Sequence, residues 1–310
     1  MISGAICMSH TPLLDKARAE PDVERKFHGA VAEAAAMIAE WKPDLAVVFF
    51  PDHFNGFFYD LMPAFCVGVR AVSIGDFGTI PGALPVTEDL ALDCANACLS
   101  CGVDIAVSYC MSVDHGCAQP IELLSAKFPL VNIVPVFVNC AAIPLPTFAR
   151  AIALGAAVGS WAAAIDRRVL IIASGGLSHD PPLPSMEAAT REQQSALVDN
   201  RNASHASRLA RQNRIYAMRA ADLRPINPSW DRALLAEFVK GDLSASELWT
   251  DAEVTRDAGR GGHEVRTWLA ALAALKAAGG YTASVGFYHP IDEWLTGTAL
   301  LTAQPAGDHH

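Results

Sequence analysis

Three short, unbroken apolar runs constrain this chain more than any other feature: Leu45 to Phe50 (LAVVFF), Ile133 to Val138 (IVPVFV) and Val169 to Ala173 (VLIIA). Strands buried on both faces read as continuous runs of this kind, whereas half-exposed strands alternate. Gly4 to Met8, Ile105 to Cys110 and Tyr281 to Tyr288 add weaker strand candidates. Between them lie stretches with helical apolar spacing: Pro21 to Trp41, Glu88 to Ser100, Pro146 to Ile165, a long polar segment from Ser185 to Arg219 that divides into two helices, Trp230 to Lys240, and His263 to Ala278. Strand and helix alternate to about residue 175, and the remainder reads as mostly helical. The pattern predicts an α/β chain, a three-layer α/β/α sandwich around one central mixed sheet, with additional helices in the C-terminal half. No repeat or linker divides the 310 residues, so one catalytic domain over 1–310 is expected, with 305–310 a loose tail that includes His309 and His310.

Composition narrows the partners. The chain is 52% hydrophobic and 18% charged, with a formal net charge of −10. That is a globular composition, and without a basic stripe it argues against a nucleic-acid partner. The apolar runs are too short to span a bilayer, which needs about 18 residues or more. Met1 to His10 lacks a basic segment followed by a long apolar one, so no membrane partner and a cytoplasmic location are expected. Of the eight cysteines, Cys98 and Cys101 form a C-x-x-C, but it ends a helix where a redox pair would open one. Packed, inert thiols are the simpler reading.

The polar residues at the strand tips carry the chemistry. His10 follows the first strand and precedes Thr11-Pro12, which keeps the chain extended. His53 lies in Pro51-Asp52-His53-Phe54-Asn55-Gly56, directly after LAVVFF. His115 sits in Val113-Asp114-His115-Gly116, and His179 in Gly175-Gly176-Leu177-Ser178-His179-Asp180 before Pro181. Glu264 follows Gly261-Gly262-His263 at a helix start. Singly, each has a plainer explanation: a capping or surface histidine for His10, a turn-stabilising one for His53, a dipole-complementing carboxylate for Glu264. Together they offer the two imidazoles and one carboxylate of a non-haem Fe(II) site, plus two more imidazoles for acid–base work. His28, His205, His263 and His289 read as solvated or structural. Asp52 or Asn55 could orient His53. The zinc-protease pattern fails because position 267 is Thr, and the serine-hydrolase elbow fails because Asp180 stands where Gly is required. A metal-dependent hydrolase and a non-catalytic binding protein remain the rivals.

Longer segments carry a resemblance. MSHTPLL (8–14), FFPDHFNGFFYDLMPAFCVG (49–68), IGDFG (74–78), DIAVSYCMSVDHGCAQP (104–120), PVFVN (135–139), SGGLSHDPP (174–182), NPSWD (227–231) and GHEVRTW (262–268) spread over nearly the whole chain. With these the chain resembles the class III extradiol ring-cleavage dioxygenases. The resemblance implies His10, His53 and Glu264 as Fe(II) ligands, His115 as acid and His179 as base. Asp114 is then a candidate orienter of His115, and Pro181 a residue shaping the pocket beside His179. It further implies a homo-oligomer that cleaves a 3-substituted catechol, of the 2,3-dihydroxyphenylpropionate or 2,3-dihydroxycinnamate type, with O2.

Overall fold

The computed structural model describes residues 1–130, 132–182 and 185–306; His309 and His310 lie outside them. Its strands are β1 (Ile2–Met8), β2 (Leu45–Phe50), β3 (Phe65–Gly68), β4 (Ala71–Ser73), β5 (Gly82–Ala83), β6 (Ala106–Ser108), β7 (Met111–Val113), β8 (Ile133–Val138), β9 (Val169–Ser174), β10 (Tyr281–Ile291) and β11 (Thr296–Pro305). Eight of these form one mixed sheet in the order β10-β11-β1-β9-β2-β8-β3-β6, and β5-β4-β7 form a small second one. The central neighbours β1, β9, β2 and β8 run parallel. β11 pairs antiparallel with β1, so Cys7 faces Ala173 on one side and Leu301 on the other.

The helices are α1 (Pro21–Trp41), α2 (Glu88–Ser100), α3 (His115–Leu124), α4 (Phe148–Ala164), α5 (Arg191–Val198), α6 (His205–Tyr216), α7 (Pro228–Lys240), α8 (Ser244–Glu247), α9 (Asp251–Ala258) and α10 (Val265–Ala277). The three layers follow from strand alternation. Val47, Phe49, Ile171 and Val136 point into one core with Cys94 and Cys98 of α2, Val158 of α4 and Trp268 of α10. Val48, Phe50, Ile172 and Phe137 point into the other, with Phe27 and Ile38 of α1 and Leu124 of α3. Every cysteine is a free thiol, and Cys94 and Cys98 are buried as core side chains.

The strand expected over Ile105 to Cys110 is shorter, β6 at Ala106–Ser108, and Met111–Val113 forms a further strand, β7, in the small sheet. After residue 175 the chain is mostly helical, α5 to α10, and the late strand expected over Tyr281 to Tyr288 is β10, whose hairpin with the unexpected β11 completes the sheet beside β1.

Helices α4 and α10 pack at backbone distance. A Cβ on Gly155 would stand 2.0 Å from the Ala270 carbonyl oxygen, and one on Gly159 would stand 2.1 Å from that of Ala274. Both obstacles are backbone and cannot swing aside. Gly155→Ala should therefore lower stability by about 2–3 kcal/mol through overpacking, seen as an earlier denaturant midpoint. An unchanged midpoint would mean that the helices separate freely. The pair matters to the site because α10 follows directly on Glu264.

Candidate active site

Parallel strands end at the same edge of a sheet, and polar groups just past those ends share one crevice. His10 lies two residues beyond β1 and His53 three beyond β2, while β9 between them runs into Gly175-Gly176. Glu264 ends the short 3-10 turn Gly261–Glu264 that leads into α10. Its Oε2 accepts a 2.7 Å hydrogen bond from the Gly176 N–H. A side chain at Gly176 would meet the His179 ring at 2.7 Å and Thr296 Oγ1 at 2.6 Å, so only glycine lets this loop turn between them.

The candidate residues converge. His10 Nε2 and His53 Nε2 are 3.4 Å apart. Glu264 Oε1 is 3.3 Å from His53 Nε2, and Oε2 is 3.8 Å from His10 Nε2. His179 Nε2 reaches Glu264 Oε1 at 3.6 Å. His115 stacks on the His53 ring with centroids 4.6 Å apart, and it offers a nitrogen within 4.8 Å of those of His10 and His53. One carboxylate thus stands among four imidazoles.

The far side of each ring has its own partner, which orients the near side. His53 Nδ1 lies 2.9 Å from Asp114 Oδ2, a carboxylate oxygen that can only accept, so Nδ1 carries a proton and Nε2, facing the crevice, is the lone-pair nitrogen of the neutral ring. His179 Nδ1 donates to the Leu177 carbonyl at 2.8 Å, again leaving Nε2 as the acceptor in the neutral ring. His10 Nδ1 meets Ser174 Oγ at 2.9 Å. His115 Nδ1 is 2.7 Å from Asp76 Oδ2, while Asp76 Oδ1 accepts the His115 backbone N–H, also at 2.7 Å.

The donor atoms suit a metal ion. Bonds of about 2.0–2.2 Å to one ion put neighbouring donors about 3 to 3.5 Å apart, close to the distances found. With His10 Nε2 and His53 Nε2 only 3.4 Å apart, one ion could be reached by both. The acidic trio of Asp76, Asp114 and His115 is also close-set, but its oxygens are already taken up by backbone N–H groups and imidazoles.

Comparison with known proteins agrees with this geometry. Residues 4–296 match the family described as the catalytic LigB subunit of aromatic ring-opening dioxygenase. The chain belongs to the LigB family. It is an extradiol ring-cleaving dioxygenase, and the enzymes of this family are metal-dependent. One LigB relative, from Paraburkholderia xenovorans, is 46% identical over 308 residues, covering 97% of this chain and 98% of its own. Another, from a Rhodococcus species, is 45% identical over 306 residues, covering 96% and 98%. Both are named 2,3-dihydroxyphenylpropionate/2,3-dihydroxicinnamic acid 1,2-dioxygenase. An uncharacterized protein from Escherichia coli K12 shares the fold, with a TM-score of 0.57 at 12% identity over 96% of this chain and 99% of its own.

Charge in this LigB site is set by burial and by the cluster itself. Burial pushes His10 down to about 3, which keeps its ring neutral. Burial also opposes charge on His53 and His179, but Asp114 with Glu264, and Glu264 respectively, outweigh it and raise both. Glu264 is driven the other way: burial would raise it, yet the surrounding His10, His179 and His53 hold its carboxyl well below the usual range. Asp52, buried near Asp114, rises to about 7.

Several side chains do work the sequence did not announce. Asp114 faces His53, not its neighbour His115; as N-cap of α3 its extended backbone (φ −102°, ψ −169°) aims the carboxylate at Gly116 N–H and away from residue 115. The partner of His115 is Asp76, in the small-sheet segment Gly75-Asp76-Phe77-Gly78. Asp52 leaves the orientation of His53 to Asp114 and accepts the backbone N–H groups of Asn55, Gly56 and Phe57, which closes the loop. Ser178 is no nucleophile candidate: it is buried, and its Oγ accepts from Asn227 N–H at 2.8 Å. Pro181 is half-buried two residues past His179. His263 is structural, held between Thr255 Oγ1 and the buried Arg266, whose guanidinium lies 3.8 Å over the Phe148 ring.

Asp114→Asn should loosen the site without unfolding it. Partners of this kind typically cost 10–100-fold in metal affinity, so apo protein titrated anaerobically with Fe(II) should show about a tenfold weaker constant. Wild-type affinity in the variant would deny Asp114 this role.

Proposed function

We propose that the protein is an Fe(II)-dependent dioxygenase for a 3-substituted catechol with a carboxylated side chain, 2,3-dihydroxyphenylpropionate or 2,3-dihydroxycinnamate. The carrying observation is the convergence of His10, His53 and Glu264 with His115 and His179 beyond the ends of β1, β2 and β9. The substrate rests on the names of relatives 44–46% identical over nearly the full chain.

In this reading His10 Nε2, His53 Nε2 and the Glu264 carboxylate hold the ion. Glu264 is preferred over His115 as third ligand because its oxygens stand 3.3 Å from His53 Nε2 and 3.8 Å from His10 Nε2 and it brings the negative charge a divalent ion needs. Those three residues would hold a ferrous ion, which would supply the chemistry that brings the diol and O2 together. His179, whose Nδ1–H donates to the Leu177 carbonyl, has Nε2 as the acceptor of its neutral ring and is placed there to take a catechol hydroxyl proton. His115, its ring fixed by the Nδ1–Asp76 hydrogen bond, turns Nε2 towards the cluster and is assigned as the acid. The ring bond beside the two hydroxyls breaks, both atoms of O2 enter the product, and 2-hydroxy-6-oxonona-2,4-dienedioate results from the propionate.

The reading includes one catalytic domain, because the central sheet uses both residue 2 and residue 305. It also includes a cytoplasmic homo-oligomer without nucleic-acid or membrane partners. In support, net charge is −10 and no helix among the described residues is long and apolar enough to cross a membrane. The test is anaerobic reconstitution with Fe(II), then O2 uptake across catechols that differ at the 3-position. One O2 per catechol with a yellow dienoic product is expected, fastest with the propionate. No uptake with any catechol would end the proposal, and a preference for an uncharged substituent would end its substrate part.

A further inference from the structure

Helix α6 touches the site through one side chain that the acid–base and ligand assignments leave unused. None of the described α6 side chains is fully buried, so the helix is held by partial contacts. Tyr216 meets the edge of Phe77, whose ring in turn meets His115. Arg211 goes further. Its Nη1 donates to the Phe54 carbonyl at 3.1 Å and to Asn55 Oδ1 at 3.0 Å, and its Nη2 donates to the carbonyl of His53 itself. Phe54 sits at φ 55°, a left-handed conformation that a bulky residue adopts only when its surroundings impose it.

The same loop oxygens and nitrogens lead inward. Asn55 Nδ2 donates at 2.9 Å to Asp114 Oδ2. That oxygen also accepts the His53 backbone N–H at 3.0 Å and lies 2.9 Å from His53 Nδ1. A continuous hydrogen-bonded path therefore runs from Arg211 through Asn55 and Asp114 to the imidazole. A planar guanidinium can hold three diverging acceptors at once, which an ammonium on a flexible stem cannot do in a fixed geometry.

Building on the Fe(II) assignment, we propose that Arg211 is a positioning residue that locks the His53 ring for metal binding, so that seating of α6 and loading of the metal centre are coupled. Coupling of two binding equilibria is reciprocal. Arg211 must strengthen metal binding, and bound metal must hold α6 in place.

The experiment titrates apo protein with Fe(II) anaerobically and follows amide exchange over residues 205–216 with and without the ion. For wild type, Fe(II) should slow exchange in α6. Arg211→Ala should bind Fe(II) about tenfold more weakly, within the range for partners of metal-ligating histidines, and its α6 exchange should no longer respond to the ion. Arg211→Lys should fall between, and adding Asn55→Ala to Arg211→Ala should cost less than the sum of the two single changes, because the Asn55 link lies on a path that both share. Thermal unfolding of each variant separates these effects from loss of fold; if Arg211→Ala does not fold, Arg211→Lys carries the comparison. Wild-type affinity in a folded Arg211 variant, or an α6 response that persists without the guanidinium, would overturn the coupling. Wild-type protein that takes up no Fe(II), or uptake unaffected by His53→Ala, would overturn the metal assignment and the inference with it.

Discussion

His115→Gln and His179→Gln should each keep the metal and lose at least about a hundredfold in turnover, the usual weight of one positioned acid or base. Glutamine preserves polarity and approximate reach, so packing at these half-buried and buried positions is little disturbed, but it neither takes nor gives a proton at neutral pH. The two losses should differ in kind. His179 is held with Nε2 as acceptor by the Leu177 carbonyl, so its loss should be partly relieved by a nitrocatechol whose hydroxyl is already ionised. His115 is held by the Asp76 carboxylate as a donor, and an acidic diol should not relieve its loss. Steady-state turnover at matched iron content makes the comparison. Near-normal rates in both variants would remove the acid–base assignment.

Glu264→Ala should be more severe at the level of the metal. The carboxylate is buried and surrounded by His10, His53 and His179, and it also accepts the Gly176 N–H. Removing a partner of a metal ligand typically costs about 10–100-fold in affinity, and removing the charged ligand itself should cost at least about a hundredfold in Fe(II) affinity. Glu264→Gln keeps the Gly176 hydrogen bond through its amide oxygen but loses the charge, so it should recover folding and not affinity. Unchanged iron content at limiting metal in both variants would take Glu264 off the ligand set.

The parts of this arrangement that were legible in the sequence are those set by bulk hydrophobicity. β2 and β8 match the apolar runs residue for residue, and β1 and β9 within two residues, because strands covered on both faces need no polar alternation. β11 escaped notice although Ala299, Leu300, Leu301 and Ala303 are buried. Threonine, alanine and glycine dominate it, and such small residues give little pattern. Helix α3 was hidden by Gly116 and by Pro120 within its ten residues. The five central groups stood out because each follows a strand tip or a glycine pair. Their supports did not: Asp76 is 39 residues from His115, and Arg211 is 158 from His53. No local spacing encodes such meetings, which exist only once the layers have packed.

The interior place of β1, between β9 and β11, has a consequence for biosynthesis. A strand flanked by two later ones is seated on both sides only once both have been made, and His10 meets Glu264 only in that packed sheet. The donor set for a metal is therefore complete late, when β9 and β11 have docked against β1.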